Sequence, residues 1–263
     1  MKNVNLEKYY DFIKDEESKI VVKKIQDKIS YVNKNFIPVL TEFINPYVAE
    51  LSVPLINNYN INYELFPSYE YGERKVFILY PDYLESVNAD DYIAGIRIKN
   101  KSKFKILDHK DYLGSLMSLG IDRNKTGDIF VYEDYADIVV HKDIVDYIIY
   151  NLEKIGNSKI EFEVLKSDEI AYKEQKHEIL NITSSSLRLD NILKHITNKS
   201  RDTATSLINS GHVKVNYVVE ERVTYLVKEN DMLSVRKFGR FKISKLMGLT
   251  KSGKNKIEIK HYV

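Results

Sequence analysis

Along the first forty residues the apolar positions Ile20, Ile25, Ile29, Val32 and Phe36 recur at mostly helical steps and stop at Pro38, which predicts a helical beginning. Pro46, Pro54 and Pro67 then cut the chain into shorter pieces. Within "NYNINYELFP" the alternation of Ile61, Tyr63 and Leu65 predicts a half-buried strand. After Gly72 the period changes. "KVFILY" and "YIAGIRIK" read as strands, "DHKDYLGSLMSLG" as a helix closed by Gly120, and "GDIFVYEDYADIVV" as two strands joined at Glu133 and Asp134. In "HKDIVDYIIYNLEKIG", Ile144, Ile148, Ile149, Leu152 and Ile155 stand at three- and four-residue steps, so a helix is expected that Gly156 stops, followed by the strand "KIEFEVL". Strand, helix, two strands, helix, strand is the order of a ferredoxin-like α/β plait, an architecture shared by RNA-recognition modules. Fold by itself assigns no function.

From Ser167 to Ser186 the chain is polar with few periodic apolar residues, so a linker or a sheet-edge excursion is expected there. Beyond it, Leu189, Ile192, Leu193 and Ile196 form one apolar helical face. Ser200 stands where an N-cap belongs, and Ala204, Leu207 and Ile208 line a second helix that Gly211 ends. "HVKVN" alternates as a strand, and "DMLSVRKFGRFKI" and "KIEIKHYV" add more. The expected fold class is therefore α+β: a helical and mixed region over 1–72, the plait over 73–166, a linker over 167–182, and a small domain over 183–263.

Composition fits that division. A chain of 263 residues suits about two domains, or three small ones, and 43% hydrophobic with 30% charged residues is typical of a soluble globular protein. No apolar run approaches the roughly 20 residues of a membrane helix. The amino terminus is polar and acidic rather than signal-like, and Cys is absent, so a cytoplasmic protein without disulfides, thiolate metal sites or a cysteine nucleophile is expected. The charge is uneven. Residues 183–263 hold 16 Lys plus Arg against 7 Asp plus Glu, a net of +9, leaving 24 against 31 elsewhere, a net of −7. Such a split points either to a polyanion partner for the basic segment or to a lysine-rich solvated surface. The cations bracket the helix starts and strands, at Arg188, Lys199, Arg201, Lys214, Arg236, Lys237, Arg240 and Lys242, and positive side chains beside free N–H groups make a phosphate seat.

The ordered run "RLDNIL", "SRDTATSLINSGHVKVN", "VR" and "GRFKI" resembles the alpha-L, or S-four-type, RNA-binding domain. The resemblance implies that the two-helix unit docks on structured RNA, with Arg188, Ser200, Arg201, Lys214 and Asn216 at matching positions. One departure is Asn230, where the family pattern has Gly; Asn tolerates a left-handed turn. "DYLGSLMSLGIDRNKTGDIFV" and "YADIVV…DYIIYNLEKIG" are similar to the central region of YlmH-like proteins, bacterial S-four-domain proteins associated with the cell-division gene cluster. Together the matching parts span roughly residues 75–260. The resemblance implies an RNA-binding accessory of the ribosome, with ribosomal RNA, tRNA and the large subunit as partners; no membrane contact and a monomeric chain are expected besides. Arg123, Asn124 and Lys125, in "GIDRNKTGDI", are either a second RNA contact or a solvated connection.

Enzyme readings find little purchase. "GLTKSGKN" nearly fits a phosphate loop, but Asn255 replaces the Ser or Thr that holds magnesium, and a strand follows rather than a helix. No two glycines are separated by one residue, which leaves no dinucleotide fingerprint, and the six His (109, 141, 177, 195, 212 and 261) lack metal-ligand spacing. Adjacent acids such as Asp90-Asp91 and Glu220-Glu221 point to different sides of a strand or helix. The sequence thus points to a noncatalytic RNA-binding protein with no cofactor. The alternatives are an RNA-modifying enzyme with its active site within residues 1–165, and a division scaffold acting through its acidic part.

Overall fold

The computed structural model describes residues 6–13, 15–68, 72–102, 105–174 and 176–262, so the first five residues of the polar amino terminus lie outside the described residues. The chain divides into two compact units, residues 1–174 and 175–263.

Unit 1 begins with helices α1 (Leu6–Phe12) and α2 (Glu16–Asn35). Asp15 caps α2 by accepting from the Ser18 N–H, and the helix buries Val22, Ile25, Ile29 and Val32. Ile20 and Phe36 are exposed, so the core stripe takes in Val22 in place of both ends of the expected series. Phe36 closes the helix in the left-handed region, with φ of 57°, two residues before Pro38. Then come β1 (Val39–Leu40), α3 (Pro46–Ile56), capped by Asn45, β2 (Ile61–Phe66) and β3 (Val76–Pro81). The strands form an antiparallel sheet in the order β1-β3-β2, on which α2 and α3 pack around Phe77 and Leu79. "KVFILY" is therefore the centre of the amino-terminal sheet and not part of the plait; buried on both faces, it carries no alternation to show which sheet it joins.

The plait follows as β4 (Ile93–Asn100), α4 (His109–Ser118), β5 (Thr126–Val131), β6 (Tyr135–His141), α5 (Val145–Asn151), β7 (Lys154–Ile155) and β8 (Ser158–Leu165). The order β5-β6-β4-β8, antiparallel throughout, is that of a ferredoxin-like sheet. Ala94, Ile96 and Ile98 face Tyr112, Leu116 and Ile148 of the helices. Asp108 and Asp111 form a capping box at the start of α4, and Gly120 ends its turn at φ of 75°. The second helix is shorter than its pattern suggests. It stops at Asn151, and Lys154–Ile155 turns through Gly156, at φ of 56°, into a hairpin with β8. Leu152 and Ile155 stay buried on this route, so their spacing mimics a continuing helix.

The opposite face of the plait is covered. Phe43, Val76 and Ile170 pack there against Ile93, Phe130, Val139 and Leu165. Gly127 and Gly95 permit the approach: a Cβ on Gly127 would lie 2.8 Å from Phe43 Cε1, and one on Gly95 would lie 2.6 Å from Ile170 Cγ1. Residues 167–174 thus lie against the plait, where a linker was expected.

Unit 2 consists of β9 (His177–Ser184), α6 (Leu189–Thr197), α7 (Arg201–Asn209), β10 (Val213–Val215), β11 (Val218–Val219), β12 (Met232–Val235), β13 (Gly239–Leu249) and β14 (Asn255–Tyr262). The sheet order is β11-β10-β12-β13-β14-β9. Residues 177–182, the other half of the expected linker, are an edge strand on β14, as the sheet-edge alternative had it. Both helices cover one face of the sheet over Val213, Val215, Leu233, Val235, Phe241, Ile243, Ile257 and Ile259. Gly211, at φ of 67°, ends α7 in a Schellman turn: its N–H donates to Ile208 O and that of His212 to Leu207 O. Asn230 takes the left-handed conformation, φ of 70°, that the family's Gly would hold.

Candidate nucleic-acid interface

Arg188 is the N-cap residue of α6 and Arg201 the first residue of α7, and one carboxylate joins them. Asp190, 2% exposed, accepts from Arg188 Nε and Nη2, both at 3.1 Å, and from Arg201 Nε at 2.9 Å and Nη2 at 2.8 Å. Burial by itself pushes this carboxyl upward, but the hydrogen bonds and charge of the two arginines together hold it below the usual carboxylate range. The two arginine side chains remain 35% and 56% exposed, and each guanidinium has N–H donors beyond those given to Asp190. The result is a pair of pre-oriented forks at two adjacent helix starts, the geometry that planar bidentate contacts to phosphate require. Ser200 caps α7 by accepting from the Thr203 N–H at 3.1 Å, and Lys199 stands exposed beside it. Asp190 was missed in the sequence because Arg201 lies eleven positions away; its one local sign is an acid at the first turn of an otherwise basic segment.

The other expected RNA contacts do not join this cluster. Val213, Val215, Phe241 and Ile243 point at the helices, so their alternating neighbours Lys214, Arg240 and Lys242 lie on the outer face of the sheet. There the register sets Arg240 opposite Tyr262 and Lys242 opposite Lys260. Arg240 lies over the Tyr262 ring at 5.6 Å, and burial lowers its pKa. Arg236 and Lys237 occupy the β12–β13 turn, Arg236 Nη1 lying 3.2 Å from His212 Nε2, and Lys237 at φ of 72°. Asn216 is absorbed by the fold: at φ of 49° its Nδ2 donates to Asp231 Oδ1 at 2.8 Å and its Oδ1 accepts from the Met232 N–H at 2.9 Å. The same buried Asp231 accepts from Tyr225 Oη and the Lys228 N–H, so Asn216 holds a turn rather than offering its amide to a base.

In unit 1, Arg123 is turned inward, with Nη1 donating to Thr126 O at 2.6 Å and to Gly127 O at 3.2 Å. Arg74 lies beside it, donating to Thr126 O and Phe43 O; burial, then the neighbouring Arg123, lowers its pKa to about 10. Lys125 pairs with Asp143 at 2.6 Å, and the Asn124 carbonyl accepts from the Phe43 N–H. This loop is a packed joint, and its arginine is spent on backbone carbonyls. The exposed remainder of the sheet face is cross-paired: Arg97 with Asp137, Lys99 with Glu163, and Lys101 with Glu161. Its aromatic pair, Tyr132 stacked on Tyr135 at 4.6 Å, is half-buried, with Lys173 over the first ring and Arg97 over the second. Among the described residues no group of three or more His, Asp or Glu is placed to hold a metal, and no helix is long and apolar enough to cross a membrane.

Two short helices on a small antiparallel sheet, with arginine forks held at the helix starts, define an RNA-binding protein of the S4 type. Residues 187–233 match the S4 domain, and residues 88–169 match the family described as the putative RNA-binding domain in YlmH. Over 246 residues, 94% of this chain and 95% of the relative, the sequence is 31% identical to the ribosome-associated protein quality control protein P2 of Bacillus subtilis. A solved structure, the cell division protein ylmH from Streptococcus pneumoniae, is 29% identical; the match covers 59% of this chain and 95% of that one with a TM-score of 0.50. The chain belongs to the YlmH-like family of S4-domain proteins.

Proposed function

We propose that this protein is a noncatalytic ribosome-associated factor that docks unit 2 on structured ribosomal RNA of the large subunit, with tRNA as a further contact, as a cytoplasmic monomer serving translating or stalled ribosomes. The observation that carries the reading is the Asp190 clamp, which presents Arg188 and Arg201 together from the most basic part of the chain. The Bacillus subtilis relative, whose name places it on the ribosome, supports the choice of RNA. Docking is electrostatic, with N–H groups at the start of α7 adding directed contacts to phosphate. The test is sedimentation of tagged protein through sucrose gradients at low and high salt, with sequencing of the bound RNA. Comigration with large subunits that salt disrupts and Arg201→Glu abolishes is the expected result; a folded Arg201→Glu protein that sediments like wild type sinks this face. Incubated RNA is expected to keep its mass, and a mass change would instead favour a modifying enzyme.

A further inference from the structure

Between β11 and β12 the chain turns at residues 222–225, where the Tyr225 N–H donates to Arg222 O at 3.0 Å. The turn is fastened to the start of α6. The Leu189 N–H donates to Tyr225 O at 2.8 Å and the Asp190 N–H to Val223 O at 3.4 Å, so the residue that carries the arginine clamp is bonded directly to this turn. A turn of this kind brings its first and last residues together, and Arg222 Cζ lies 5.5 Å from the centre of the Tyr225 ring, within reach of cation–π attraction. Both partners are fixed in turn. Tyr225 Oη donates to the buried Asp231 at 3.0 Å. Glu220 holds the Arg222 guanidinium in a bidentate grip, Oε1 accepting from Nε at 2.8 Å and Oε2 from Nη2 at 2.6 Å. The Glu220 side chain is only 12% exposed, whereas that of Arg222 is 69% exposed. A third planar fork, oriented and open to solvent, therefore belongs to the same corner of unit 2 as the clamp.

The way each fork is paired separates their chemistry. At the clamp one carboxylate is divided between two arginines, which leaves an excess of positive charge for phosphate. At Arg222 both oxygens of Glu220 face a single guanidinium and offset its charge, so a phosphate brought there gains little. A neutral aromatic face meets no such opposition. Guanidinium planes are weakly hydrated and stack on rings, and RNA-binding proteins seat unstacked bases on them. The N–H donors that Glu220 does not take remain at the edge of the plane for a base or ribose oxygen. A continuous duplex has no base to offer, because both faces of each base are covered by its neighbours. We propose that Arg222, seated on Tyr225, stacks one unpaired base of the RNA whose phosphates Arg188 and Arg201 hold, so that unit 2 selects RNA with a loop or bulge at the docking point over continuous duplex. The inference rests on the RNA-binding reading above and adds to it the class of RNA.

The test uses the full chain and two RNAs of matched length, a stem-loop and a continuous duplex, with 2-aminopurine placed at one loop position of the stem-loop at a time. Wild type should bind the stem-loop about tenfold more tightly than the duplex, the scale of one base stack, and should change the fluorescence at one loop position. Arg222→Lys keeps the charge and gives up the planar fork. It should lose the fluorescence change and about tenfold in affinity for the stem-loop, while its affinity for the duplex, its salt dependence and its melting midpoint stay those of wild type. Stem-loop binding by Arg222→Lys equal to that of wild type would show that a point charge suffices, and overturns the proposal. An equal loss on both RNAs overturns it too, because Arg222 would then be a contact to the backbone. Equal binding of the two RNAs by wild type strikes this inference and leaves the ribosomal reading standing; binding of neither strikes that reading and this inference with it.

Discussion

At Asp190 a single carboxylate decides whether two arginines act as a pair. Its folded pKa lies below the value of about 3.9 of an unfolded Asp, so its stabilising effect is present above about pH 4 and is lost as pH falls through the folded value. Both guanidiniums reach solvent, so removing the charge costs less than the 3–5 kcal/mol of a broken buried pair. Asp190→Asn is expected to lower the stability of unit 2 by about 1–2 kcal/mol at pH 7, with the gap from wild type closing below pH 4, measured by hydrogen exchange of the α6 and α7 amides. RNA affinity should fall although no cation has been removed. Unchanged affinity would mean that the arginines need no clamp. His141 gives the contrasting case in unit 1. Its pKa, lowered by burial to about 4, lies below the unfolded value of about 6.5, so on acidification the unfolded chain takes up the proton first. Stability is therefore full above about pH 6.5 and declines toward pH 4, by on the order of 3 kcal/mol. An NMR titration of the ring in the folded protein should show a midpoint near 4; one near 6.5 would show the ring to be solvated.

At the scale of elements, Gly95 lets residues 167–172 lie across the plait. A side chain there meets Ile170 Cγ1 at 2.6 Å and Leu165 Cβ at 3.0 Å, both in packed surroundings. Gly95→Val should cost about 1–3 kcal/mol and make the chain near Ile170 sensitive to protease, while Ile170→Ala in the same protein should recover part of the loss. Additive losses in the double variant would show that the two positions do not press on each other. The same packing explains which elements could be read from sequence. The β4–α4–β5–β6 order was legible because each piece has its own clear period, 2.0 or 3.6 residues, and a cap or turn at its end. The two helices of unit 2 were legible for the same reason, down to the Ser200 cap and the Gly211 stop. The strand at 76–81 carries no period because both its faces are buried, and β9 reads only as a linker or a sheet-edge excursion because an edge strand exposes its polar side chains. The candidate site was legible in its cations but not in their allotment. Which face Lys214 or Lys242 occupies depends on strand register, and the fates of Asn216 and Arg123 depend on partners, Asp231 and the Thr126 carbonyl, that no local pattern identifies.

Over the whole molecule the net charge of +2 conceals a basic unit and an acidic remainder, and the basic unit itself presents two surfaces. RNA laid flat against the helix starts meets Arg188, Lys199 and Arg201, whereas RNA that also reached the outer sheet face would meet Lys214, Arg240 and Lys242. These arrangements differ in how many counterions binding releases. About three phosphates give a slope of log affinity against log salt of roughly −2 to −3; about six, with Lys214, Arg240 and Lys242 engaged as well, give roughly −4 to −5.5. The helix starts have the clamped forks, so they should carry primary docking and the shallower slope. Anisotropy titrations of a ribosomal RNA fragment between about 50 and 200 mM salt measure it. Under this arrangement Arg201→Glu removes most of the affinity, while Lys242→Glu leaves both affinity and slope nearly unchanged. A slope steeper than about −3.5, reduced by about one unit in each of Lys214→Glu and Lys242→Glu, would instead show RNA engaging both faces of unit 2. The outer sheet face would then be a binding surface in its own right, and the basic excess of the unit would be accounted for by two contacts with RNA instead of one.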